Sequence, residues 1–123
     1  KRALEMVRLP GVETRMPIQL SGGQQQRIAL ARAIVIEPDV LLMDEPTTGL
    51  PLDQTDQVIA LMKKKTAEEG MTILIVEHDL DLIWGVSEKV YFMAEGEILI
   101  QGPPDEVRKN ETVVEKYMGE GIA

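Results

Sequence analysis

Apolar residues recur along this chain in two alternating patterns, helical spacing and short unbroken runs. Ala3, Leu4 and Val7 share one face of a helix read over Lys1 to Leu9, and Leu9-Pro10-Gly11 stops it. Val12 to Gln19, containing Pro17, reads as a loop. A long helix is predicted from Ser21 to about Ile36, and its second half from Ile28 is apolar nearly all round, as in a buried helix. Glu37-Pro38 ends it, because a residue before proline avoids the helical region. Val40 to Met43 is a short apolar run bounded by turn residues, the pattern of a strand buried on both faces. Pro46 cannot donate to a ladder, so this strand ends near Glu45.

A second helix is predicted over Gln54 to Glu69, with Val58, Ile59, Leu61 and Met62 inward and Gly70 as terminator. Thr72 to Val76 reads as a second buried strand, after which Asp79 caps a short helix carrying Leu80, Ile83 and Trp84. Lys89 to Ala94 and Ile98 to Gln101, joined by Glu95-Gly96-Glu97, form a hairpin pattern. Two short helices follow, one after Pro103-Pro104 and one over about Asn110 to Met118, with Val113/Val114 and Tyr117/Met118 at helical spacing. The acidic tail from Gly119 to Ala123 is expected to fray. Helix, strand, helix, strand, helix is the rhythm of an α/β fold with parallel strands and crossover helices.

Composition narrows the class. The 123 residues are 44% apolar, as in a globular protein, but only four are aromatic, so aliphatic side chains must fill the core. A net charge of −8 disfavours a broad nucleic-acid surface, which needs clustered Lys and Arg. The absence of cysteine excludes disulfides and thiolate metal sites. No apolar run approaches the roughly 18 residues of a membrane span. The chain opens inside a helical pattern without an initiator methionine, and reads as the middle of a longer protein.

Two segments carry the candidate chemistry. Ser21, Gly22 and Gly23 stand where a helix begins, so backbone N–H groups, a hydroxyl donor and the helix dipole all favour an anion. A bare Ser-Gly-Gly is more simply an N-cap. Asp44 and Glu45 close a buried strand at its C-terminal end, where open α/β sheets place their ligands. Hydrolytic phosphoryl transfer needs one carboxylate for Mg²⁺ and another to deprotonate the attacking water. An acidic pair closing a strand is otherwise an ordinary solvated loop start. His78, the single histidine, follows the second strand at its C-terminal end.

Taken together, Leu20-Ser21-Gly22-Gly23-Gln24-Gln25-Gln26-Arg27 and Val40-Leu41-Leu42-Met43-Asp44-Glu45-Pro46 resemble the signature motif and Walker B strand of ABC-type ATPases. The resemblance runs from the end of the helical subdomain to the C-terminus. It implies the C-terminal portion of a P-loop NTPase domain, with residues 1–36 ending the helical subdomain and signature helix and residues 37–123 running on from Walker B. It implies that Ser21, Gly22, Gly23 and Gln24 bind the γ-phosphate of ATP held by an opposite subunit. By the same resemblance Asp44 holds Mg²⁺, Glu45 is the general base, and His78 is the switch histidine that senses the γ-phosphate. Glu77 falls on a variable family position and receives no role.

Two departures matter. No G-x-x-x-x-G-K-[ST] phosphate loop occurs in the sequence, nor the Gln of the Q-loop, so the chain by itself is expected not to hydrolyse ATP. In the D-loop, Gly49 and Leu50 match the family pattern while Pro51 occupies its polar position. The triple Gln looks like sugar, polyamine or iron importers. Gly70-Met71-Thr72 through Asp79, Gly102 to Val107 and Tyr117-Met118-Gly119-Glu120 look like branched-chain amino-acid importer ATPases, over more positions. The resemblance therefore implies a subunit that couples ATP to solute import, with a second ATPase subunit and membrane permease subunits as partners, at the cytoplasmic face of the membrane. A non-transport ABC ATPase of DNA repair or translation, or a non-catalytic remnant that completes a partner's site, are the alternatives.

Overall fold

A computed structural model describes residues 2–118 of the chain. The fraying expected for 119–123 and the packing expected of the Met118 side chain fall outside the described residues. The chain divides between Glu77 and His78 into two compact units.

The first unit holds α1 (Arg2–Met6), α2 (Gly22–Ile34), β1 (Val40–Asp44), α3 (Leu52–Glu69) and β2 (Thr72–Val76), with a 3₁₀ turn at Pro17–Gln19. Helix α1 stops before Pro10, because Arg8 takes a left-handed conformation (φ 53°). The Leu9 N–H then bonds Leu4 O at 2.8 Å and the Arg8 N–H bonds Glu5 O at 3.0 Å, which satisfies the last carbonyls. Helix α2 ends at Ile34, two residues short of the expected Ile36, by a similar device: Glu37 is left-handed (φ 51°) and its N–H returns to Ile34 O at 2.9 Å. Helix α3 begins two residues early at Leu52 and ends where expected, on Gly70 at φ 67°.

β1 and β2 are parallel, in the register Val40↔Thr72 through Asp44↔Val76, with α3 as the connection between them. The expectation of strands buried on both faces is wrong. Leu41 and Met43 are buried, whereas Val40 and Leu42 are 57% and 71% exposed, and Leu74 and Val76 are exposed as well. The inward face packs against Leu30, Ala31 and Ile34 of α2 and Val58 and Met62 of α3, with Val7, Leu9, Val12 and Met71 completing the core. Nothing within this unit covers the opposite face, so the period-2 alternation that the sequence hides emerges in burial. Helix α2 is likewise not buried all round: Leu30, Ala31 and Ile34 are inside, while Ala29 and Arg32 are exposed.

The second unit contains α4 (Leu80–Val86), the antiparallel hairpin β3 (Val90–Ala94) and β4 (Glu97–Gly102), α5 (Pro104–Val107) and α6 (Glu111–Val113). Asp79 caps α4 as expected, its carboxylate accepting from the Leu82 N–H at 3.1 Å. Glu95 and Gly96 both have positive φ (54° and 81°), which suits the right-handed twist of a two-residue hairpin turn. Leu99 is the extra residue of a bulge, since Phe92 pairs with Ile100 and Met93 with Ile98. The helix expected over Asn110 to Met118 is α-helical only through Val113, then widens into a π-helical turn, Val114–Met118. Val90, Phe92, Val107 and Val113 form this unit's core.

Candidate functional site

The start of α2 is a capping box. Ser21 Oγ accepts from the Gln24 N–H at 3.2 Å and Gln24 Oε1 accepts from the Ser21 N–H at 2.9 Å. In this reciprocal pair the two side chains serve only as acceptors, for the backbone N–H groups of Ser21 and Gln24. The Ser21 hydroxyl proton and the Gln24 amide N–H₂ remain as donors, beside the first helical N–H groups of Gly22 and Gly23, which no helix satisfies internally. The simple N-cap reading and the anion-site reading are therefore compatible. The two glycines differ in purpose. A Cβ on Gly22 would meet nothing within 4 Å, whereas one on Gly23 would sit 2.8 Å from Gln54 Oε1 and 3.1 Å from Leu50 Cδ2.

The three glutamines that follow point in three directions, as consecutive helical residues must. Gln24 closes the capping box. Gln25 Nε2 donates to the carbonyls of Pro17 at 3.0 Å and Leu20 at 3.2 Å, fastening the preceding loop. Gln26 Nε2 donates to Glu45 O at 3.1 Å and Pro46 O at 2.6 Å, joining the start of α2 to the end of β1. Arg27 is buried and reaches Val7 O at 3.4 Å, so the next residue ties α2 to the end of α1.

At the end of β1, Asp44 and Glu45 are both exposed. Asp44 is the last ladder residue, opposite Val76, and the Glu45 N–H still donates to Val76 O at 2.7 Å. Glu45 then turns left-handed at φ 46°. Of the four described non-glycine residues with positive φ, Arg8 and Glu37 end helices and Glu95 belongs to the hairpin turn. Glu45 alone among them follows a strand of the parallel pair, and its conformation costs about 1–3 kcal/mol and must be held by its surroundings. The Thr48 N–H closes the turn on Glu45 O at 3.2 Å, and Thr48 Oγ1 donates to Glu45 Oε2 at 3.3 Å.

Glu77, given no role by sequence reasoning, supplies the other support. Its Oε1 accepts from the Thr47 N–H at 3.1 Å and from Thr47 Oγ1 at 2.7 Å, and Thr47 is buried. The signal that could have found it is positional: a carboxylate directly after a strand whose parallel partner ends in Asp-Glu-Pro-Thr. His78, exposed, is the next residue and opens the second unit.

No group of three or more His, Asp or Glu side chains that could hold a metal occurs among the described residues. Mg²⁺ does not require one, because it usually takes one or two carboxylates and completes its shell with water and substrate phosphates. The exposed Asp44 carboxylate at a strand end suits that role.

Residues 1–48 match the ABC transporter family. The arginine transport ATP-binding protein ArgV of Corynebacterium glutamicum is 41% identical over 112 residues, covering 89% of this chain and 44% of that protein. The branched-chain amino acid transport ATP-binding protein BraF of Pseudomonas aeruginosa is 36% identical over 117 residues, covering 95% of this chain and 46% of that one. Among solved structures, the ATP-binding cassette MJ0796, in a dimeric post-hydrolysis state with ADP and Pi, superposes with a TM-score of 0.79 at 34% identity over 84% of this chain and 44% of that one. The chain thus spans less than half the length of the relatives it matches. On these matches of sequence and fold, the chain belongs to the ABC transporter ATP-binding family, of whose cassette it carries part.

Proposed function

We propose that these residues form the signature and Walker B part of an ATP-binding subunit that drives import of an amino acid. The observation that carries this reading is the Gln26 bridge, which joins the donor-rich start of α2 to the corner bearing Asp44 and Glu45 within one unit. Ser21, Gly22, Gly23 and Gln24 receive the γ-phosphate of an ATP bound to an opposing subunit. Their remaining groups are donors, which suits a phosphate oxygen. Asp44 holds Mg²⁺, which when bound neutralises phosphate charge. Glu45 deprotonates the attacking water, and His78 contacts the γ-phosphate.

ATP enters this scheme only when a phosphate loop is supplied, so the isolated chain does not turn over. A second ATPase subunit and membrane permease subunits complete the machine at the inner face of the membrane. No described helix is long and apolar enough to cross a membrane. The arginine and branched-chain relatives support the amino-acid class.

The trans role is tested by Gly22→Asp. Open space beyond Gly22 accommodates the new side chain, and an acidic residue suits the first turn of a helix, so folding is retained. In a chimera that places the phosphate-loop half of the arginine-transport relative before these residues, Gly22→Asp is expected to leave ATP binding intact. It should abolish ATP-dependent dimerisation and turnover. Undiminished dimerisation and turnover would remove α2 from the nucleotide site.

A further inference from the structure

We propose that Glu77 is a positioning residue that holds the Glu45–Thr48 corner and so sets the direction of the Glu45 carboxylate. The functional half of this inference rests on the reading of Glu45 given above, while the structural half does not.

The left-handed Glu45 backbone is fixed from three sides. Val76 O takes the Glu45 N–H at 2.7 Å, Gln26 takes the carbonyls of Glu45 and Pro46, and Glu77 takes both donors of Thr47. The first two supports are neutral hydrogen bonds. The third is made by a carboxylate in a part-buried setting, where charge-assisted bonds are roughly twice as strong as neutral ones. It also acts where the corner is least constrained by the sheet, because the ladder ends at Asp44 and Thr47 lies three residues beyond.

The length of the side chain matters. Glu77 follows β2 directly, and Val76 lies opposite Asp44, so Glu77 must reach past the strand end to Thr47. One oxygen accepts both the N–H and the O–H, which fixes the Thr47 backbone and its χ1 together. Thr47 in turn accepts from the Leu50 N–H at 3.0 Å, so the clamp extends to the segment leading into α3. Gln at position 77 keeps one oxygen with the same reach but loses the charge and carries an N–H₂ donor in place of the second oxygen; Ala loses the acceptor altogether.

The test has two arms. In the 123-residue chain, amide hydrogen exchange at Thr47 is compared in the native sequence, Glu77→Gln and Glu77→Ala. Glu77→Ala should speed Thr47 exchange about tenfold or more, and Glu77→Gln by a smaller factor. In the phosphate-loop chimera, Glu77→Ala should lower kcat about tenfold with KM for ATP changed less than about twofold, and Glu77→Gln should restore most of the rate. Thr47→Val, which removes only the hydroxyl, should fall between them and stands in if Glu77→Ala does not fold. Unchanged Thr47 exchange in Glu77→Ala overturns the clamp. Unchanged kcat, or a fall in kcat that Glu77→Gln does not relieve, overturns its positioning role. A native chimera without turnover counts against the proposed function, and the exchange arm still decides the clamp.

Discussion

Gln26 Nε2 lies 2.6 Å from Pro46 O and 3.1 Å from Glu45 O, so one side-chain amide fastens the helix that begins at Ser21 to the corner that ends β1. A carboxamide suits this position because its N–H₂ carries two donors for two carbonyls. Gln26→Ala leaves a part-buried carbonyl without its donor and should destabilise the chain by about 1–2 kcal/mol in urea unfolding. Gln26→Glu should cost at least as much, since a carboxylate would face two carbonyl oxygens. Equal stability of all three sequences would show that the bridge contributes nothing.

Pro51 stands at the N-cap of α3 and provides no side-chain acceptor, although the N–H groups of Gln54 and Thr55 gather at its carbonyl at 3.0 Å. Its φ of −59° and ψ of 153° are open to other residues. Pro51→Asp supplies a capping carboxylate and should raise stability by about 1 kcal/mol, read as a higher melting temperature. A lower melting temperature would mean that the stiffness of proline in the unfolded chain outweighs the cap.

Leu41 and Leu42 are neighbours with opposite fates, 7% and 71% exposed. Leu41→Ala should cost about 2–4 kcal/mol, by loss of burial plus a cavity. Leu42→Ala should cost less than about 1 kcal/mol in this chain, because little of its surface is removed from water. Comparable losses at both positions would show that the outer face of β1 is covered in solution.

That pair also shows where the sequence is legible. The limits of β2, the end of α3 on Gly70 and the Asp79 cap follow from local chemistry, and local chemistry is written in adjacent letters. The short apolar run Val40–Met43 identifies a strand, yet does not state how many of its faces are covered. The ends of α1 and α2 depend on Arg8 and Glu37 adopting a conformation that glycine or asparagine usually announces. Ser21, Gly22 and Gly23 were visible as a helix start, and Asp44 and Glu45 as a strand end. The roles of Gln26 and Glu77 were not, because their partners lie 19 to 30 residues away in sequence and meet them only in the folded unit.

Glu45 is proposed above as the general base of an ATPase that these residues complete but do not constitute. That role is tested most directly by ATP turnover in the phosphate-loop chimera, with and without Glu45→Gln. The chimera should turn over ATP, Glu45→Gln should lose about 100-fold or more of that rate with ATP affinity essentially unchanged, and the 123-residue chain alone should show none. Sustained turnover in Glu45→Gln, or hydrolysis by the isolated chain, would contradict it.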